Sequence, residues 1–164
     1  MPEAKGSLAW VWLSVLVIAL DQLSKWIAVS SLEMYHQVPV IEGLFSFTLA
    51  YNTGAAFSFL ADAAGWQRWL FAAIAVVVSV VLCVWLSRLD RSKRMEAIAL
   101  ALILGGALGN LYDRVVLGHV VDFILVHWQQ RWFFPAFNIA DSAITVGAGL
   151  LILDMFVGKK QTAS

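Results

Sequence analysis

Four stretches of this chain, about 8–29, 69–87, 97–114 and 138–157, are apolar over most of the thickness of a lipid bilayer. A helix of roughly 20 residues crosses a hydrocarbon core of about 30 Å. Within that core only helices or closed barrels satisfy their own backbone groups. The four runs lack the strict apolar/polar alternation of barrel strands, and the second, Trp69 to Ser87, carries no charge. The expectation is an all-α membrane protein with four transmembrane helices, forming one membrane-embedded domain over residues 1–164. Composition agrees, with 61% of residues hydrophobic and 13% charged, against roughly 45–50% and about 25% in soluble domains.

Loop charges give the orientation. Lys5, the Arg88/Arg91/Lys93/Arg94 cluster and Lys159/Lys160 fall on one side, against Arg68, Arg114 and Arg131 on the other. By the positive-inside rule both termini and the 88–94 loop face the cytoplasm. The longer connections, about 30–66 and 115–137, then face outward. Lys5, the first apolar run and Ala28-Val29-Ser30 superficially resemble a secretory signal. Asp21 and Lys25 interrupt that run, so it is read as a retained span. A formal net charge of zero gives no electrostatic reason to expect nucleic acid. Cys83 is the single cysteine, excluding an intramolecular disulfide, and reads as a packed thiol rather than a nucleophile.

The first outer connection is the stretch with room for structure outside the membrane. Gln37 to Ile41 and Leu44 to Ala50 are rich in β-branched and aromatic residues around Glu42-Gly43. That pattern predicts a short hairpin or small sheet resting on the membrane surface.

Ionisable residues in or beside a span are costly, so each needs a reason. Here they gather at one depth, near the outer leaflet. Asp21 and Lys25 lie in the outward half of the first span, in the favourable order for an i,i+4 ion pair. Asn110, Asp113 and Arg114 close the third span, Asp113 and Arg114 reading as an interfacial ion pair. Asn138 and Asp141 open the fourth, where Asn138 suits a helix cap. Helix-start N–H groups stabilise an acid at Asp141. Asp122, inside Val120-Val121-Asp122-Phe123-Ile124, has no such support and needs a partner. Two carboxylates meeting in a dry site share one proton, the state that activates water and protonates a leaving amine in aspartic peptidases. Spacing alone leaves that joint role and two separate structural roles both open.

Other chemistries fit less well. His119, His127, Asp122 and Asp141 are zinc-capable residue types, but there is no H-E-x-x-H, and both histidines read as interfacial side chains. No G-x-S-x-G elbow is present, and Ser58 has no evident base. A small proton-coupled transporter is the alternative from another class, but it calls for polar residues spread across the membrane depth.

Five stretches, in order, resemble the boxes of lipoprotein signal peptidase (signal peptidase II). They are Asp21-Gln22-Leu23-Ser24-Lys25, Tyr51-Asn52-Thr53-Gly54-Ala55-Ala56-Phe57-Ser58, the run Gly105 to Arg114, Val120-Val121-Asp122-Phe123 and Phe137-Asn138-Ile139-Ala140-Asp141. The resemblance implies that Asp122 and Asp141 are the catalytic dyad. It implies that Asp21, Lys25, Asn52, Gly106, Asn110, Arg114, Asn138 and Ala140 line or brace the substrate site. It also implies an outward-facing β-cradle over about 31–58 and a short lid helix near residues 59–66. The implied activity is removal of the signal peptide from prolipoproteins whose cysteine bears a diacylglyceryl group, cut just before that cysteine. The enzyme would act as a monomer at the periplasmic face of a bacterial inner membrane. Its partners would be membrane lipids and the cyclic peptide antibiotic globomycin. No metal or cofactor is implied.

Overall fold

The structure is a computed structural model that describes residues 6–54 and 65–161, with the backbone alone for 157–161. Its four long helices are α1, Val11–Ser31; α2, Trp66–Arg88; α3, Arg94–Val116; and α4, Ile139–Gln161. A single 3₁₀ turn, Leu8–Trp10, leads into α1. All four are long and apolar enough to cross a membrane, and each matches an expected span to within a few residues.

Helix α3 is the axis of the bundle and packs against the other three. Its small residues explain why. A Cβ added at Gly105 would meet Ser14 and Val17 of α1, and one at Gly106 would strike the Ala140 carbonyl of α4. Small residues let helix backbones approach closely where no hydrophobic effect draws helices together in lipid. Ser14 Oγ donates to the Ala101 carbonyl at 2.7 Å, tying α1 to α3. On α1 the buried residues Ser14, Val17, Asp21, Lys25 and Ala28 recur every three or four positions, one stripe turned inward. Leu16, Leu20, Leu23 and Ile27 lie exposed on the opposite face. An apolar rim of that extent belongs in lipid rather than water.

Strands β1 (Val38–Ile41), β2 (Phe45–Asn52), β3 (Val120–Trp128) and β4 (Trp132–Phe133) form an antiparallel sheet in the order β1-β2-β3-β4. The expected hairpin is β1–β2, turning at Gly43 with φ +75°. One expectation needs correction: the sheet is not confined to 31–58. Its third and fourth strands come from the second outer connection, because β2 needs a partner along its far edge and 120–128 supplies one. Between Phe47↔Ile124 and Ala50↔Asp122 the β2 strand carries one extra residue, a bulge beside Asp122. Bulges re-aim neighbouring side chains. Of the helix expected near 59–66, residues 59–64 lie outside the described residues, and Gly65 and Trp66 lie where α2 begins.

Candidate active site

Asp122 sits on β3, 3% exposed, and Asp141 on the first turn of α4, half-buried. Asn138 joins them. Its side-chain carbonyl accepts the Asp141 N–H at 2.9 Å, while its own backbone N–H donates to Asp141 Oδ2 at 3.3 Å. That reciprocal cap is what an amide three residues before an acid offers at a helix start. The same Asn138 places Nδ2 2.8 Å from Asp122 Oδ1, so one residue grips both carboxylates.

The remaining oxygens are also held by amides. Asn110 Nδ2 donates to Asp141 Oδ1 at 2.7 Å, and Asn52 Nδ2 to Asp122 Oδ2 at 3.3 Å. Asn110 Oδ1 accepts from Lys25 Nζ at 3.0 Å and from Asn138 Nδ2 at 3.2 Å, which fixes the way its amide faces. Burial raises the Asp122 carboxyl from its ordinary 3.8 to about 7. The adjacent Asp141 carboxylate adds to the rise, while the Asn52 and Asn138 amides and the Lys25 charge oppose it. Below about pH 7, Asp122 therefore keeps a proton beside an acid partner.

Behind the pair lies a buried ion cluster. Lys25 Nζ meets Asp21 Oδ2 at 2.7 Å and Asp113 Oδ2 at 2.8 Å, so with Asn110 its three protons are all used. Asp21 Oδ1 accepts the Ala140 N–H at 2.9 Å, and Asp113 Oδ2 the Val121 N–H at 3.2 Å. Ala140 immediately precedes Asp141, and Val121 immediately precedes Asp122. The cluster thus anchors the backbone beside each carboxylate.

The model of the Signal peptidase (SPase) II family matches residues 13–157. The chain belongs to that family. It is 72% identical to the lipoprotein signal peptidase of Pseudomonas syringae pv. tomato, the match covering 98% of this chain and 96% of that relative. Against the lipoprotein signal peptidase of Pseudomonas aeruginosa strain UCBPP-PA14 the identity is 70%, with the same coverage. Two solved structures described as bacterial membrane enzymes superpose with TM-scores of 0.83 and 0.79, at 28% and 29% identity. The first covers 98% of this chain and 96% of its own, the second 94% and 97%. This signal peptidase II chain is thus a peptidase.

Several expected site residues meet here and others do not. Asp21, Lys25, Asn52, Asn110 and Asn138 join the hydrogen-bonded network, and Ala140 enters it through its N–H. Gly106 is a packing contact against α4. Arg114 Nη1 donates to the Asn110 carbonyl at 3.2 Å, and its guanidinium lies 5.5 Å from the centre of the Phe71 ring. Asp113 departs from its expected pairing with Arg114. It is fully buried and bonded to Lys25 and to Gln22 Nε2, the latter at 2.8 Å, because it faces α1 rather than the interface.

Gln22, in the first box, is the network residue to which the sequence alone assigns no role. His127 also departs from the interfacial position expected of it. It is 1% exposed, with Nε2 2.9 Å from Ser46 Oγ. His119 lies against Tyr51, ring centres 4.1 Å apart and planes tilted by 32°.

Proposed function

We propose that Asp122 and Asp141 are the catalytic dyad of a membrane aspartic endopeptidase. It removes the signal peptide from diacylglyceryl-modified prolipoproteins, cutting just before the lipidated cysteine. The observation that carries this reading is the shared grip of Asn138 on two carboxyls, one of which holds its proton up to about pH 7. Asp141 takes a proton from water as the water oxygen attacks the scissile carbonyl, and Asp122 passes its own proton to the carbonyl oxygen. The proton on Asp141 then moves to the leaving nitrogen, and Asp122 recovers one from the tetrahedral intermediate as the C–N bond breaks. The products are a carboxyl-ended signal peptide and a free cysteine α-amine.

The dyad lies where α3 and α4 meet the sheet, at the ends of the spans. A lipid-anchored cysteine holds its peptide bond at that depth, with its acyl chains and the signal helix in the bilayer. By the positive-inside rule this end of the bundle is the periplasmic one, with the sheet as a cradle on that face of the inner membrane. On the same reading the enzyme works as a monomer, and globomycin competes for the dyad. Nothing in the fold or the relatives favours the transporter.

Purified protein in lipid nanodiscs should release the signal peptide from a diacylglyceryl-modified prolipoprotein and leave the unmodified precursor intact. Mass spectrometry of the fragment should place the cut before the cysteine. Equal cleavage of the two precursors would remove lipid recognition from the proposal.

The pH profile follows from the same pair. An acid with a raised pKa delivers its proton below that value and loses it above. Turnover should therefore fall as pH rises through about 7, with a slope approaching one proton. A flat profile from pH 6 to pH 9 would show that no group of this kind is used.

A further inference from the structure

Gln67 opens α2 on the dyad side of the bundle. It is 3% exposed, and its Oε1 has no hydrogen-bond partner among the described residues. Buried amide oxygens are almost always satisfied, because leaving one without a donor costs its full desolvation.

The surroundings point to the missing donor. Gly54, at φ +113°, follows the Asn52 turn, and a Cβ there would stand 2.9 Å from Phe71 Cδ2 and 3.3 Å from Gln67 Cγ. The Gly54 N–H donates to Asn52 Oδ1 at 2.9 Å, and Asn52 Nδ2 reaches Asp122 at 3.3 Å. Gln67 thus shares a wall with an amide that touches the dyad. One turn along α2, the Phe71 ring also carries the Arg114 guanidinium. Arg114 Nε is a second buried polar atom without a partner among the described residues. Gln67 and Phe71 thus both line Gly54, and Phe71 in turn carries Arg114, so the residues bearing the unfilled acceptor and the unfilled donor adjoin one aromatic side chain. An extended peptide presents alternating N–H and C=O groups that satisfy both.

We propose that Gln67 is a substrate-positioning residue, its Oε1 accepting a backbone N–H of the extended peptide beside the scissile bond while Arg114 Nε donates to a carbonyl of the same strand. The ligand class is peptide backbone, so the contact is indifferent to side-chain sequence. The inference rests on the dyad reading of function.

Gln67→Met keeps the side chain's length and removes the acceptor. On a lipidated prolipoprotein it should raise KM about 5- to 10-fold, with kcat within about twofold and the alkaline limb of the pH profile unmoved. The substrate-free variant should unfold at the same temperature as wild type or higher, since an orphaned oxygen has been removed. A purely structural glutamine predicts the reverse: a lower unfolding temperature with KM unchanged, and that outcome overturns the proposal. The same comparison by equilibrium binding of uncleaved prolipoprotein in an Asp141→Asn background does not depend on turnover. Loss of wild-type cleavage itself would instead count against the dyad reading, so the two failures are separable.

Discussion

Asp141→Asn and Asp122→Asn should each lower turnover of a lipidated prolipoprotein by at least about 10³-fold, and the two should differ in what they do to the fold. Asn cannot take a proton from water, so Asp141→Asn removes the base. It also turns one amide NH₂ toward a donor, since Asn110 Nδ2 and the Asn138 N–H point at the two Asp141 oxygens. A modest loss of stability accompanies that mismatch. Asp122→Asn meets the same kind of mismatch, since Asn138 Nδ2 and Asn52 Nδ2 point at the two Asp122 oxygens, but it replaces a carboxyl that is neutral below about pH 7 by a neutral amide. The folded-state pKa of Asp122 is raised, so its contribution to stability is complete below its unfolded value near 3.8 and is lost as pH rises through about 7. Asparagine cannot ionise and escapes that loss. Relative to wild type, the Asp122→Asn variant should gain in unfolding temperature as pH rises from about 4 to about 7 and keep that gain at higher pH, while remaining inactive throughout. Retention of more than about 1% of wild-type turnover by either variant, far above what loss of proton transfer allows, would refute the dyad.

The spans were legible because a bilayer imposes them. Trp69 to Ser87, without a charge, has no other stable setting. The β1–β2 hairpin was legible because Glu42-Gly43 supplies a turn between two β-rich runs. Strand β3 was not. Val120-Val121-Asp122-Phe123-Ile124 reads as a continuous apolar run, and its partner β2 is separated from it by two whole helices. Local pattern carries no information about a pairing at that distance. Asp122 could be flagged as an acid in need of a partner, but only the fold supplies Asn52 and Asn138. Asp113 was misread for a related reason. Arg114 is its neighbour in sequence, yet successive helix positions face about 100° apart. Asp113 turns toward Lys25 on α1, and Arg114 toward Phe71 on α2.

That hidden pairing gives Lys25 a larger role than an i,i+4 partner of Asp21. Lys25 is 3% exposed, and its ammonium lies between the carboxylates of Asp21 and Asp113, both 0% exposed. Lys25→Met keeps much of the volume and removes the only cation bonded to either acid among the described residues. Taking one partner from a buried ion pair costs about 3–5 kcal/mol, because the stranded charge cannot be hydrated. Here two acids would be stranded facing each other. The unfolding temperature in detergent should fall steeply, against a total stability of roughly 5–15 kcal/mol. Activity should fall further than stability explains. Asp21 and Asp113 hold the Ala140 and Val121 N–H groups, and these flank Asp141 and Asp122. A displacement near 1 Å at either anchor is enough to cost on the order of 10²-fold in rate. Lys25→Met assayed well below its own unfolding temperature should therefore remain at least about 10²-fold slower than wild type. Adding Asp113→Asn should recover part of the unfolding temperature, by removing one stranded charge, without restoring turnover. Full turnover in folded Lys25→Met would mean that the sheet and the Asn138 cap hold the two carboxylates in register unaided.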